Sequence, residues 1–421
     1  MSKKSIPMIS AAIAFLLLLT SALLQKKLSE SKVYAEDLMK KIKIQKTDDI
    51  KLDTSFIKIT SNFSINLFKK SYNKQENSLI SPVSIYMALG MTENGAAGDT
   101  LKEFENLLGA ENMSSSQLNL YYHSLMGKLT NEKEGKVSIG NSIWYSKAKN
   151  LTVKKKFLQS AADYYNAEAY KSDFESDNTI KDINNWVKKN TGNQINKIVD
   201  KIDKNTVMYL INTIYFDEKW QQPYKKEDVN TGTFRLEEGT DKSVKFMNSE
   251  EYQYLNDDKV QGFIKEYKGG KFSFVALLPN EGISLENYLS SLTGEDFIKL
   301  INNGVQTAIS VKMPIFEADY SLELADSLKE MGLKLCFDSN NADFSNMGSS
   351  SEGNIYVSNI LHKAFISVNT DGTKAAAATK VEMKSGAAPL MKSIILNRPF
   401  LYAVIDNETK LPLFVGTMMR P

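Results

Sequence analysis

A single cysteine and only two histidines occur among the 421 residues. Cys336 alone can form neither an internal disulfide nor a thiolate zinc site, so packing has to hold the fold. Flanked as Leu335-Cys336-Phe337, it reads as a small buried hydrophobe rather than a reactive thiol. No HExxH, GxSxG or Cys/His cluster accompanies His123 or His362. A Ser-His-Asp triad needs a poised imidazole, so no catalytic residue and no metal ligand is assigned, and an enzyme is not expected. A Gly-rich phosphate loop is also missing, and no cofactor is expected. Charges of both signs are interspersed to a net +2, which leaves no basic stripe for nucleic acid.

What is present begins with a targeting pattern. Lys3 and Lys4 precede an apolar run over residues 8–24, the order found in secretory signals. Val33-Tyr34-Ala35 offers small residues where a signal peptidase reads, so cleavage after Ala35 is expected. The competing reading is an uncleaved anchor with membrane attachment through residues 8–24, because the run approaches spanning length and Lys26-Lys27 follows it. Both readings make the body secreted or extracytoplasmic. Residues 1–35 are therefore the signal or anchor, 36–60 an amino-terminal extension, and 61–421 one domain. Leu38, Met39, Ile42, Ile44 and Ile50 are too many apolar residues for a solvated linker. They point to an extension that docks on the body; a frayed terminus is the alternative.

No repeat or Pro-rich joint divides the body. Helical periodicity runs through Phe63, Leu67 and Phe68, then over 83–89 after Ser81-Pro82, 100–108 before Gly109, and 183–190 before Gly192. Strand-like apolar runs cover 207–216, 272–278 and 401–405. Helices dominate the first third and strands the rest, which predicts an α+β fold around a large, mostly antiparallel sheet.

Asp371-Gly372 opens an unusual stretch that alternates from Thr373 onward. Thr373, Ala375, Ala377, Thr379, Val381 and Met383 suit a packed face, while Lys374, Ala376, Ala378, Lys380, Glu382 and Lys384 suit a solvated one. The following Ser385-Gly386-Ala387-Ala388-Pro389 reads as exposed loop. The segment is thus patterned as a strand yet leads nowhere, as though it forms only on demand. A flexible Ala-rich connector or a short helix is the competing reading.

Several motifs in order give the chain a resemblance to the serpin family over residues 60–421. Asn77-Ser78-Leu79-Ile80-Ser81-Pro82-Val83-Ser84-Ile85 resembles the family's start of helix B, and Gly95-Ala96-Ala97-Gly98-Asp99-Thr100 its small-residue turn. Asn212-Thr213-Ile214-Tyr215-Phe216-Asp217-Glu218-Lys219-Trp220 resembles strand 3A, with Tyr224 where Phe is usual. Ala342-Asp343-Phe344-Ser345, Val357-Ser358 and His362-Lys363-Ala364 resemble the approach to strand 5A. Asn397-Arg398-Pro399-Phe400 and Pro412-Leu413-Phe414-Val415-Gly416 resemble the carboxy-terminal signature.

The resemblance implies helices packed around a large central sheet A, two smaller sheets and an exposed reactive-centre loop. It also implies an irreversible suicide-substrate inhibitor of serine endopeptidases. A protease cuts the loop, and at the acyl-enzyme stage the hinge inserts as a strand of sheet A, trapping the covalent complex. The implied partners are target serine proteases, and the implied state is a monomer. The hinge falls on Gly372, Thr373, Lys374, Ala375, Ala376, Ala377, Ala378 and Thr379, of which Ala375 to Ala378 between the two threonines are small enough to slide between paired strands. Counting the family's spacing puts the reactive bond at Gly386-Ala387, with Met383, Lys384, Leu390 and Met391 as neighbouring alternatives. Small residues there suit elastase-like or subtilisin-like enzymes; trypsin-like ones need Lys or Arg. A non-inhibitory serpin serving as an extracellular binding or surface interaction module is the alternative function.

The family's shutter maps to Ser81, Ser84, Asn212 and His362, which makes His362 a hydrogen-bonding latch and leaves His123 a surface residue. Its breach maps to Trp220, Ile315 and Thr370. Many serpins carry a Glu–Lys pair at the last two of these positions. Both partners are missing together here, so gating is expected to rely on Trp220 packing and apolar contact near Ile315 rather than on an ion pair. Lys374 replaces an acid common in the hinge, at a position expected to face solvent.

Overall fold

The computed structural model describes residues 33–109, 113–130, 136–373 and 391–421. Asp53 starts helix α1 (Thr54–Ser71), its carboxylate accepting the Phe56 N–H at 2.7 Å. Phe56, Phe63, Leu67 and Phe68 then line a buried stripe at helical spacing. Helix α2 (Pro82–Glu93) starts with Pro82 in its first turn and is buried all round, as a central core helix must be. Gly90 lets Tyr122 lie against it, since a Cβ there would stand 2.2 Å from the ring. Helices α3 (Gly98–Leu107), α4 (Ser115–Thr130), α5 (Lys155–Tyr165) and α6 (Asp177–Asn190) complete the helical part before residue 200.

The first sheet has seven strands. In chain order they are β1 (Glu36–Asp37), β2 (Lys136–Ser146), β3 (Glu168–Ser172), β4 (Met208–Lys219), β5 (Phe316–Glu323), β6 (Asn359–Val368) and β7 (Gly372–Thr373). They lie side by side as β1-β3-β2-β4-β7-β6-β5. The β2–β3 and β4–β6 pairs are parallel and the others antiparallel, so the sheet is mixed with an antiparallel majority. Helix α6 packs on one face through Ile183, Trp186 and Val187, which meet Trp144, Tyr209, Ile211 and Leu361 in a separate apolar cluster.

The two smaller sheets implied by the resemblance run together. The 16-residue strand Asp241–Asn256 pairs with Val229–Arg235, Val305–Pro314 and Val260–Glu266, and its length joins both halves into a nine-stranded sheet. A two-stranded pairing of Leu151–Val153 with Gly348–Ser350 stands apart. Cys336 is fully buried, and desolvation pushes its thiol well above the ordinary range.

The extension docks rather than frays. Glu36 and Asp37 pair with Lys171 and Tyr170, which makes β1 the edge of the first sheet. Just before them, the Tyr34 and Ala35 N–H groups both donate to Asp182 Oδ2 on α6 at 2.7 Å. Further along, the Gln45 N–H donates to Asp163 at 2.7 Å and the Ile50 N–H to Ser124 Oγ at 2.8 Å. Leu38, Met39, Ile42 and Ile50 rest on the core. This path corrects the expectation for His123: its Nδ1 lies 3.1 Å from the Asp163 carbonyl oxygen and its Nε2 3.7 Å from the Asp49 carboxylate. The ring is half-buried because the extension passes over it.

Candidate functional site

Strands β4 and β6 run parallel and pair only from Tyr209–Asn359 to Ile214–Ala364. Beyond that point β7 enters between them, Gly372 opposite Lys219, and Thr373 opposite both Glu218 and Val368. Between these two zones, no pairing joins residues 215–217 to 365–367 among the described residues. The sheet is therefore fastened low, fastened high and open in the middle.

The low fastening is polar. Asn141, Asn212 and His362 form one row across β2, β4 and β6. The Ser81 backbone N–H donates to His362 Nε2 at 3.0 Å, which leaves Nδ1 to carry the proton and donate to Asn212 Oδ1 at 2.8 Å. Ser84 Oγ donates to the same oxygen at 2.7 Å. Asn212 Nδ2 then donates to the Ser84 carbonyl at 3.1 Å and to Asn141 Oδ1 at 2.9 Å. Burial depresses the imidazole to about 3, so it is neutral and cannot act as an acid at neutral pH. A buried amide with every hydrogen-bonding position satisfied is a strong fastener. The four residues that the resemblance assigns to the shutter thus come together, and Asn141 joins them. Nothing local marked Asn141; only the register of β2 against β4 does so.

The high fastening is built on backbone and aromatic rings. Gly372 has φ +154, and a Cβ there would stand 2.2 Å from the Glu218 carbonyl oxygen, so only glycine fits this approach. Thr373 is buried, and its Oγ1 lies 2.7 Å from the Tyr267 hydroxyl. The Tyr267 ring stacks on Trp220 with centroids 4.5 Å apart and planes 11° apart. Trp220 Nε1 donates to the Asn369 carbonyl at 2.8 Å, and the Tyr224 N–H to the Thr370 carbonyl at 2.8 Å. Ile315 and Thr370 line one cleft of about 810 Å³ with Tyr224, Lys245 and Asp371.

Ile315 and Thr370 carry no charge, but a buried ion pair lies close to the cleft they line. It sits one layer below the sheet, where Lys265 Nζ meets Glu251 Oε1 at 2.6 Å, both side chains buried. The expectation missed it because the pair lies on the second sheet, away from the two positions where the family's pair stands.

The hinge residues Lys374, Ala375, Ala376, Ala377, Ala378 and Thr379 and the reactive bond Gly386-Ala387 lie outside the described residues, as do the signal or anchor residues 1–32. Among the described residues, no group of three or more His, Cys, Asp or Glu side chains could hold a metal ion. No helix among them is long and apolar enough to cross a membrane.

The chain that forms this sheet matches both solved structures and curated sequences. The crystal structure of a thermophilic serpin, tengpin, in its native state aligns with a TM-score of 0.88 at 44% identity, covering 92% of this chain and 100% of that one. Human thyroxine-binding globulin complexed with its hormone aligns with a TM-score of 0.80 at 25% identity, covering 87% and 98%. Serpin-ZXA of Oryza sativa subsp. japonica is 30% identical over 361 residues, 82% of this chain and 90% of the rice protein. The family model described as Serpin (serine protease inhibitor) matches residues 58–421, and the chain belongs to that family.

Proposed function

We propose that the protein is an irreversible suicide-substrate inhibitor of serine endopeptidases with shallow primary pockets, elastase-like or subtilisin-like. Family membership supports a protease-inhibitor role in general. The observation that carries the finer reading is the gap between β4 and β6 with Gly372 and Thr373 already seated at its top. A strand begun there gains backbone partners on both sides as it lengthens, and loop cleavage is what frees it to do so. Residues 375–379 are small, Lys374 falls on the set expected to face solvent, and none of them is Pro, so neither sterics nor a missing N–H opposes that extension. Val381 and Met383 add apolar burial late in the process, each worth about 1.5–3 kcal/mol if fully covered. The Gly386-Ala387 bond supplies the bait, and the acyl-enzyme is the covalent complex with the target protease.

The chain acts as a monomer outside the cytoplasmic membrane, either released or held through residues 8–24. Thyroxine-binding globulin shows that the fold also serves in complexes with a small ligand, so a binding module is the second reading. Incubation with pancreatic elastase and with subtilisin, read by denaturing gel and mass spectrometry, separates the two. A covalent complex with cleavage after Gly386 supports inhibition; rapid cleavage without any complex with either enzyme assigns the binding role.

A further inference from the structure

Alternation along the strand Val260–Glu266 puts Phe263 and Lys265 on one face, and Tyr267 continues it. Phe263 and Tyr267 are fully buried, so the Lys265 ammonium enters the interior between two aromatic residues. An ammonium there needs a counter-charge and further contacts to replace water. Glu251 supplies the charge, and the two side chains are 4% and 11% exposed. Ser249 Oγ donates to the same carboxylate oxygen at 2.7 Å and lies 3.3 Å from the Tyr224 hydroxyl. The ammonium sits 4.6 Å from the Tyr224 ring centroid and 5.5 Å from that of Trp220. A desolvated cation over two ring faces attracts both.

The residues that carry those two rings also hold the chain that leads into β7, Trp220 through its indole and backbone and Tyr224 through its backbone N–H. Trp220 bonds the Asn369 carbonyl through its indole and the Asp371 carbonyl through its backbone N–H. Tyr224 bonds the Thr370 carbonyl, and Tyr267, stacked on Trp220, bonds Thr373. A continuous set of contacts therefore joins a buried ion pair on the second sheet to the first inserted residue of the first sheet.

We propose that the Glu251–Lys265 pair positions the hinge for insertion, its cation fixing Trp220 and Tyr224 where they and Tyr267 hold residues 369–373 at the mouth of the gap. This rests on the loop-insertion reading above. Without the pair, the rings lose their common anchor, insertion starts more slowly, and the acyl-enzyme has longer to hydrolyse. Inhibitor is then consumed as substrate.

The test uses the intact protein with subtilisin and elastase at a temperature where every variant is folded by circular dichroism. The readout is the number of inhibitor molecules consumed per protease trapped. Lys265→Met and Glu251→Gln each raise it roughly tenfold, while Lys265→Arg, which keeps the charge, stays within about twofold. The double variant Glu251→Met/Lys265→Met leaves no lone buried charge and folds where a single variant fails; it matches the single variants rather than adding their effects. Wild-type partitioning in Lys265→Met and in the double variant overturns the positioning role, as does an Arg variant no better than Met. If the wild-type protein traps neither protease, the loop-insertion reading falls first and this proposal with it.

Discussion

His362 donates through Nδ1 to Asn212 Oδ1 at 2.8 Å, and this bond ties β6 to β4 at the low end of the gap. It requires a neutral ring whose Nε2 accepts from the Ser81 N–H at 3.0 Å. Burial holds the imidazole at about 3 against its ordinary 6.5, so between those values the unfolded chain takes up a proton that the folded one refuses. Stability from this group is complete above 6.5 and is lost on acidification, by up to about 1.4 kcal/mol per pH unit. Thermal melts between pH 7.5 and 5 show this loss, and His362→Gln, less stable at neutral pH, removes that part of the slope. An unchanged slope in the variant refutes the assignment.

Glu93 acts in the opposite sense. It is 2% exposed on α2, accepts a bond from Ser115 Oγ at 3.1 Å, and desolvation pushes its carboxyl up to about 7 from the ordinary 4.5. Here the folded chain keeps a proton that the unfolded one releases, so this contribution declines as pH rises from 4.5 to 7. Glu93→Gln keeps a hydrogen-bonding group without the charge. It raises the melting temperature at pH 8 more than at pH 5; an equal change at both sinks the prediction.

Gly372→Ala forces a methyl group against the Glu218 carbonyl oxygen at a backbone angle that disfavours side chains. The start of β7 is displaced while the rest of the sheet stands. If the loop inserts as proposed, the native protein changes its melting temperature little, while the clipped form loses most of the heat resistance gained on cleavage. Calorimetry of intact and clipped Gly372→Ala against the same pair for the wild type measures this difference.

Removing residues 36–53 deletes an edge strand, the bonds to Asp163 and Ser124, and the apolar cover from Leu38, Met39, Ile42 and Ile50. For a body of this size the loss of a few kcal/mol lowers the melting temperature by roughly 3–5 °C. Asp182→Ala, which removes the acceptor for two backbone N–H groups, lowers it by a smaller amount. A truncated protein that melts with the full chain shows that the docked segment contributes nothing.

What could be read from the sequence follows the range of the interactions. Helices over 83–89 and 183–190 and strands over 207–216 and 272–278 show their own period, and the structure places them at 82–93, 177–190, 208–219 and 272–279. Ser81, Ser84, Asn212 and His362 came from motif resemblance, because no local pattern says that residues 281 positions apart share a bond. Asn141 had neither support, being one polar residue in a strand whose partner only the sheet names. Lys265 did leave a trace: it interrupts the alternating inward positions Phe263 and Tyr267, and a lysine in that place demands an acid nearby. Glu251 could not be singled out beside Glu250 without the register. The pairing of Glu36 and Asp37 with β3 was invisible for a related reason, since a two-residue strand carries no period at all.

The seat of Ala35 sets an order of events. In the folded chain its N–H is bound by Asp182 and its side chain is covered, while Glu36 is already paired with Lys171. Were a peptidase to work at the bond between these two residues, as the proposed export signal requires, it would do so before Ala35 takes this seat. A molecule left uncut before it folds would then keep residues 1–35.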